Sequence, residues 1–174
     1  AAGNYARRMA ESSESYWERA DLVQTVLDAL AAAGLDLDRL DVDQLAVTDQ
    51  FHGGGKAVTL RLAELAGLAD GASLASPPRV LDVGGGLGGP ARMLATRFGC
   101  TVTALDLTPS YVEVAQVLTG KVGLADRVQH LVGDALDLPF DDGSFDVVWT
   151  QNSGMNIADK ETLYRGFARV LRRG

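Results

Sequence analysis

The stretch from Arg79 to Pro90, R-V-L-D-V-G-G-G-L-G-G-P, leaves the chain few structures to adopt. Val80, Leu81 and Val83 make a short apolar run suited to a strand covered on both faces, as in a parallel sheet. Gly84, Gly85, Gly86, Gly88 and Gly89 then tolerate left-handed or crowded backbone, and Pro90 suits the first turn of a following helix. A strand, a glycine loop and a helix in that order expose bare backbone that a cofactor can approach. The spacing does not choose the ligand. Gly84, Gly86 and Gly88 fit G-x-G-x-G, while Gly84, Gly86 and Gly89 equally fit the dinucleotide pattern G-x-G-x-x-G.

The acids narrow the choice. Asp82 stands two residues before the first glycine, where a carboxylate repels a pyrophosphate but suits a ligand carrying ammonium or sulfonium charge. That favours S-adenosylmethionine over a nicotinamide cofactor. Asp106 ends a second apolar run, Thr101 to Leu107, where such folds place the acid that accepts from ribose hydroxyls of either cofactor. Asp134 follows a third run, Val128 to Val132, in G-D-A-L-D-L-P-F, and is suited to accept from an exocyclic amine. Three successive strands thus each end in a carboxylate on one edge of the sheet.

Along the chain, Trp17, Ala20, Val23, Leu27 and Leu30 form one helical stripe from about Ser15 to Ala33, with Gly34 as terminator. Between Leu35 and Val47, Asp36, Asp38, Asp41 and Asp43 alternate with apolar residues. This alternation lacks the glycine and closing glutamate of a calcium loop, so no metal is expected and the stretch reads as a solvated connector. A helix is expected from Gly55 to Ala66, with Val58, Leu62 and Leu65 facing inward. The loop before it, Asp49 to Gly55, reads D-Q-F-H-G-G-G; its glycines leave Phe51 and His52 free to move, and His52 is the candidate base. Ala69 to Pro78 reads as a linker. It separates a helical cap, residues 1–70, from a βα-alternating unit, residues 79–174, with strands near 79–83, 101–106, 128–132 and 145–150.

A formal charge of −7 and a pI near 4.7 argue against nucleic-acid binding and point to a small-molecule substrate. Cys100 is the single cysteine and reads as a small buried hydrophobe. No apolar run reaches membrane-spanning length and no signal peptide opens the chain, so a cytoplasmic setting with no membrane contact is expected.

The ordered motifs D-V-G-G-G-L-G-G, Asp106, G-D-A-L-D-L-P-F and F-D-V-V-W-T-Q-N resemble those of class I S-adenosylmethionine-dependent methyltransferases. With D-Q-F-H-G-G-G upstream, the chain is most similar to small-molecule methyltransferases of the ubiquinone/menaquinone-biosynthesis and sarcosine/dimethylglycine types. The resemblance covers most of the chain. It implies a Rossmann-like, doubly wound α/β parallel sheet of strand order 3-2-1-4, with an N-terminal helical cap. It also implies contacts of the glycine loop with S-adenosylmethionine, Asp82 at the methionine ammonium, Asp106 at the ribose, Leu107 and Ala135 beside the adenine, and Asp134 at its amine. Gln151, Asn152, Ser153 and Asn156 would then face the methyl group, which adds Asn152 to His52 as a candidate catalytic residue and Gln151 to the cofactor contacts.

The last residues, R-V-L-R-R-G, resemble the family's turn into a fifth strand, with Arg173 where proline is usual, and the family's C-terminal strands are missing. That leads to the expectation of an open edge exposing Val147, Val148, Leu163 and Phe167, covered by a homodimer, a domain swap or a partner chain. Methyl transfer to a small-molecule nitrogen, oxygen or carbon is the expected function. The alternatives are a non-catalytic S-adenosylmethionine-binding or interaction module and, within the same fold class, a nicotinamide-dependent oxidoreductase.

Overall fold

The computed structural model describes residues 22–50, 52–68 and 77–173. The expected stripe through Trp17 and Ala20, Phe51, and most of the expected linker lie outside them.

Four strands, β1 (Arg79–Val83), β2 (Thr101–Asp106), β3 (Val128–Val132) and β4 (Val147–Trp149), form one parallel sheet of order β3-β2-β1-β4. This is the expected order. β1 lies between β2 and β4, with Asp82 opposite Ala104 on one side and Trp149 on the other. Helices α4 (Gly89–Phe98), α5 (Pro109–Lys121) and α6 (Lys160–Val170) follow β1, β2 and β4. Alternate residues of β1 enter opposite cores. Val80 packs with Ala91, Leu94 and Ala95 of α4, while Leu81 and Val83 pack with Leu163, Phe167 and Val170 of α6. The sheet is therefore covered on both faces, as the apolar residues on either side of Asp82 predict.

Among the described residues three helices precede the sheet: α1 (Leu22–Ala32), α2 (Val42–Asp49) and α3 (Gly55–Leu65). α1 rests on α5, and α2 and α3 rest on α4. Two expectations are corrected here. The acidic stretch is no mere connector, because Asp41 starts α2 through a capping box: its side chain accepts from Gln44 N at 2.8 Å, and Gln44 Oε1 accepts from Asp41 N at 2.9 Å. α3 is rotated from its expected facing. Val58 and Leu65 are 44% and 68% exposed, and the small face of Thr59 and Ala63 is buried instead, which lets α3 approach α4 closely.

The far edge also differs. β4 is shorter than expected because Phe145 leaves the ladder to bridge Leu171 in parallel; Phe145 N donates to Val170 O at 3.0 Å, and Arg172 N donates to Phe145 O at 2.8 Å. Leu163 and Phe167 are buried, 0% and 8% exposed, and Val147 and Val148 are half-buried. The apolar surface expected to drive association is thus largely covered by α6 lying back on β1. Leu163→Ala should accordingly cost about 2–5 kcal/mol in denaturant unfolding, as for a core leucine; a loss below about 1 kcal/mol would contradict this packing.

Candidate cofactor-binding site

β1 runs into the glycine loop at the carboxyl edge of the sheet. Gly84 N and Gly85 N both donate to Leu105 O, at 2.8 and 3.1 Å, so the loop is tied to the end of β2. The glycines are bare for different reasons. A Cβ on Gly84 would lie 2.2 Å from Ser153 Cβ, and one on Gly88 would lie 2.5 Å from His130 Cε1 and 2.8 Å from Arg92 Nη1. Only Gly86, with φ 53°, looks into open space among the glycines of this loop that adopt left-handed backbone. Gly84, Gly85 and Gly86 line the site, whereas Gly88 faces the protein's own interior.

Two adjoining cavities open above the strand ends. One, about 460 Å³, is lined by Asp49, His52, Gly86, Tyr111, Gln151 and Asn152 among others. The second, about 420 Å³, is lined by Leu107, Thr108, Asp134, Ala135 and Ile157. They share Gly84, Asp106, Ser153 and Asn156, so Asp106 stands at the junction. A larger open cleft of about 620 Å³ lies elsewhere, against Arg165, Arg169 and Arg172, whose guanidinium groups are already paired with Glu161, Asp142 and Asp146. It contains none of the expected residues.

The three strand-end acids differ in state. Asp106 is held rigidly, with Oδ2 accepting from Gly86 N at 2.8 Å and Oδ1 from Thr108 N at 2.9 Å. Asp134 is exposed and accepts from Leu136 N at 2.8 Å. Asp82 is 1% exposed and its Oδ2 has no hydrogen-bond partner. Burial, then the charge of Asp106, pushes the Asp82 carboxyl up to about 7. Tyr111, beside Asp106, is raised by the same two causes. Leu107 is 68% exposed although it is a large apolar residue in a cavity wall.

Across the first cavity, His52 joins the cap to the loop after β4. Its Nε2 lies 2.8 Å from Gln50 Oε1 and 3.1 Å from Thr59 Oγ1, and Gln151 Nε2 donates to its Nδ1 at 3.1 Å. The ring therefore carries its proton on Nε2. Thr59 Oγ1 also reaches Gln151 Oε1, at 3.2 Å. The freedom expected for His52 is replaced by a clamp. Asn152, exposed on the wall, has φ 60°, the only left-handed non-glycine among the described residues. Such strain in a cavity wall commonly marks a functional position. His130 is remote from the cavities: it lies 2.8 Å from Thr119 Oγ1, and burial and Arg92 hold it down to about 4.

Gln50, Thr59, Asp49 and Tyr111 belong to the site but were not singled out by sequence. Gln50 and Asp49 sit within D-Q-F-H-G-G-G, and the single polar position on the buried face of α3 was the available signal for Thr59.

The state of Asp82 has a measurable consequence. The folded chain keeps its proton up to about pH 7, whereas the ordinary carboxyl releases it near 3.8. Between these values the folded state binds more protons than the unfolded one, so this group's contribution to stability is full below about pH 4 and is lost as pH rises through 7. Denaturant unfolding should show Asp82→Asn stripped of this decline, on the order of a few kcal/mol. An identical pH slope in parent and variant would refute the assignment.

The chain is similar to known methyltransferases. Tocopherol O-methyltransferase of Arabidopsis thaliana is 36% identical over 125 residues, which are 70% of this chain and 36% of that protein. Sarcosine/dimethylglycine N-methyltransferase of Halorhodospira halochloris is 40% identical over 95 residues, 55% of this chain and 34% of that one. The chain thus matches about a third of the length of these curated relatives. Among solved structures, phosphoethanolamine N-methyltransferase 2 of Haemonchus contortus with S-adenosyl-L-methionine superposes with a TM-score of 0.65 at 31% identity, covering 73% of this chain and 28% of that one. Residues 81–174, more than half of the chain, match the family described as "Methyltransferase domain", and with this sheet order and these motifs the chain belongs to the class I S-adenosylmethionine-dependent methyltransferases.

Proposed function

We propose that the chain binds S-adenosylmethionine across its two adjoining cavities and methylates a nitrogen, oxygen or carbon atom of a small molecule. The observation that carries this reading is the buried Asp82 Oδ2, which has no hydrogen-bond partner and lies behind Gly85, 3.4 Å from where a Cβ there would sit. A carboxyl sealed this way gains most from a cation bound above the loop, and a dinucleotide pyrophosphate would do the opposite. In this reading Asp82 senses the methionine ammonium, Gly84 to Gly86 supply the floor, and Asp106 accepts from the ribose. Leu107 and Ala135 sandwich the adenine, and Asp134 accepts from its amine.

When bound, the cofactor supplies an electrophilic methyl on a sulfonium, released by in-line displacement to an incoming lone pair. The protein's task is then positioning and exclusion of water. His52, with both ring nitrogens engaged, orients Gln151 and draws the cap over the first cavity; Asn152 shapes the wall where the acceptor approaches. His52 serves as a base only if Gln151 releases Nδ1. In this reading residues 1–70 act as a lid on the α/β unit, and the backbone edge of β4 beyond the Phe145–Leu171 bridge is where a further strand, a second copy or a partner chain would pair. Among the described residues no helix is long and apolar enough to cross a membrane.

Calorimetry should show binding of S-adenosylmethionine and S-adenosylhomocysteine but not NAD, with Asp106→Ala weakening it by about 1–3 kcal/mol. NAD binding without a response to either sulfur nucleoside would sink the reading. Saturation with S-adenosylhomocysteine should also slow amide exchange around His52, and unchanged exchange there would remove the lid role.

A further inference from the structure

Arg92 has no part in the cofactor contacts above, yet it heads the largest side chains sealed from solvent among the described residues, at 0% exposure. A buried arginine is costly unless its donors are matched. It stands in the first turn of α4, and its two terminal nitrogens reach four acceptors while Nε has none. Nη2 donates to Asp49 Oδ2 at 2.7 Å and to Leu87 O at 2.6 Å; Nη1 donates to Thr119 Oγ1 at 2.9 Å and Ala115 O at 3.3 Å. One nitrogen thus holds two segments at once, the end of cap helix α2 and the tip of the glycine loop.

The surrounding sequence is built to admit this contact. The bare Cα of Gly88 leaves room for the guanidinium, and a Cβ on Gly89 would lie 2.4 Å from Asp49 O and 2.6 Å from Asp49 Oδ1. Two of the five glycines of the motif are therefore spent on this pair and not on the ligand. Thr119, which receives Nη1, is backed by His130, kept uncharged by burial and by Arg92 itself. Asp49 lines the first cavity, and three residues on stands His52. A merely space-filling ion pair would need none of these shared contacts, and swapping such pairs for apolar residues is often neutral for stability.

We propose that Asp49 and Arg92 are positioning residues: their ion pair sets the glycine loop and the cap loop in one register, so that Gly86 and His52 meet the cofactor together. The proposal rests on the cofactor reading given above. Arg92 lines neither cavity. Lysine at position 92 would keep the charge but lacks the planar fork that spans Asp49 Oδ2, Leu87 O and Thr119 Oγ1 together.

The test uses the full chain with Arg92→Lys, Asp49→Asn and the double variant Asp49→Leu/Arg92→Met, each studied well below its melting temperature. S-adenosylhomocysteine affinity is measured by calorimetry, and amide exchange of Gln50 and of residues 52–55 is followed without ligand. Each single variant should bind at least tenfold more weakly and exchange faster in that loop. The double variant should regain the parent's melting temperature yet keep both defects, a split that a packing role would not produce. Recovery of affinity together with melting temperature would overturn the proposal. If the double variant fails to fold, Arg92→Lys decides, and parent-like affinity there overturns it. Should the parent itself not bind S-adenosylhomocysteine, the cofactor reading fails separately; parent-like loop exchange in Arg92→Lys would then overturn the positioning role on its own.

Discussion

β1 is hydrogen-bonded to a parallel neighbour on each edge and covered by helices on each face, and the site follows from that enclosure. Its one acid, Asp82, is buried at 1% exposure, its Oδ2 has no hydrogen-bond partner, and burial together with the charge of Asp106 raises its pKa. The chain leaving β1 emerges in a crowded layer, because β2 and β4 end beside it. Gly84 is squeezed by Ser153 after β4, and Gly85 by Ala104 of β2, whose Cβ would lie 2.9 Å away. Only past these does the backbone reach open space at Gly86. A charge-seeking carboxyl below and a bare loop above thus arise from a single packing constraint.

Two of the contacts that fasten the cap to the α/β unit differ in strength. The Asp49–Arg92 pair is dry, with both side chains at most 2% exposed, and removing one partner of such a pair costs about 3–5 kcal/mol. The His52 clamp is half-buried and built from neutral hydrogen bonds, each contributing roughly 1 kcal/mol. The cap therefore has a firm root at Asp49 and a weaker closure at His52, three residues apart. That asymmetry suits an element that stays in register while admitting a ligand. It also explains why a histidine read as a mobile base is found instead with both ring nitrogens occupied.

Local order was legible from the residues alone. Strand boundaries in β1, β2 and β3, the glycine loop and the sequence of strand-end acids all depend on neighbours within a few positions, through period, backbone geometry and turn chemistry. The α/β class and the β3-β2-β1-β4 order followed from those elements with the motif resemblance. Even locally one signal misled: the aspartates at 36, 38, 41 and 43 look alike in sequence, but only Asp41 has Gln44 three residues on to complete a capping box.

What the tertiary structure alone decided was which distant groups meet. Arg92 reads as an ordinary helix residue until Asp49, Leu87 and Thr119 close around it, and Gly88 reads as a ligand contact until His130 and Arg92 are found against its Cα. The facing of α3, the His52–Gln151 contact and the burial of Leu163 and Phe167 are of the same kind. Periodicity and turn chemistry are short-range properties that each residue carries with it. The partner of a buried charge is chosen only when remote segments pack, because a charge left unpaired away from water is costly.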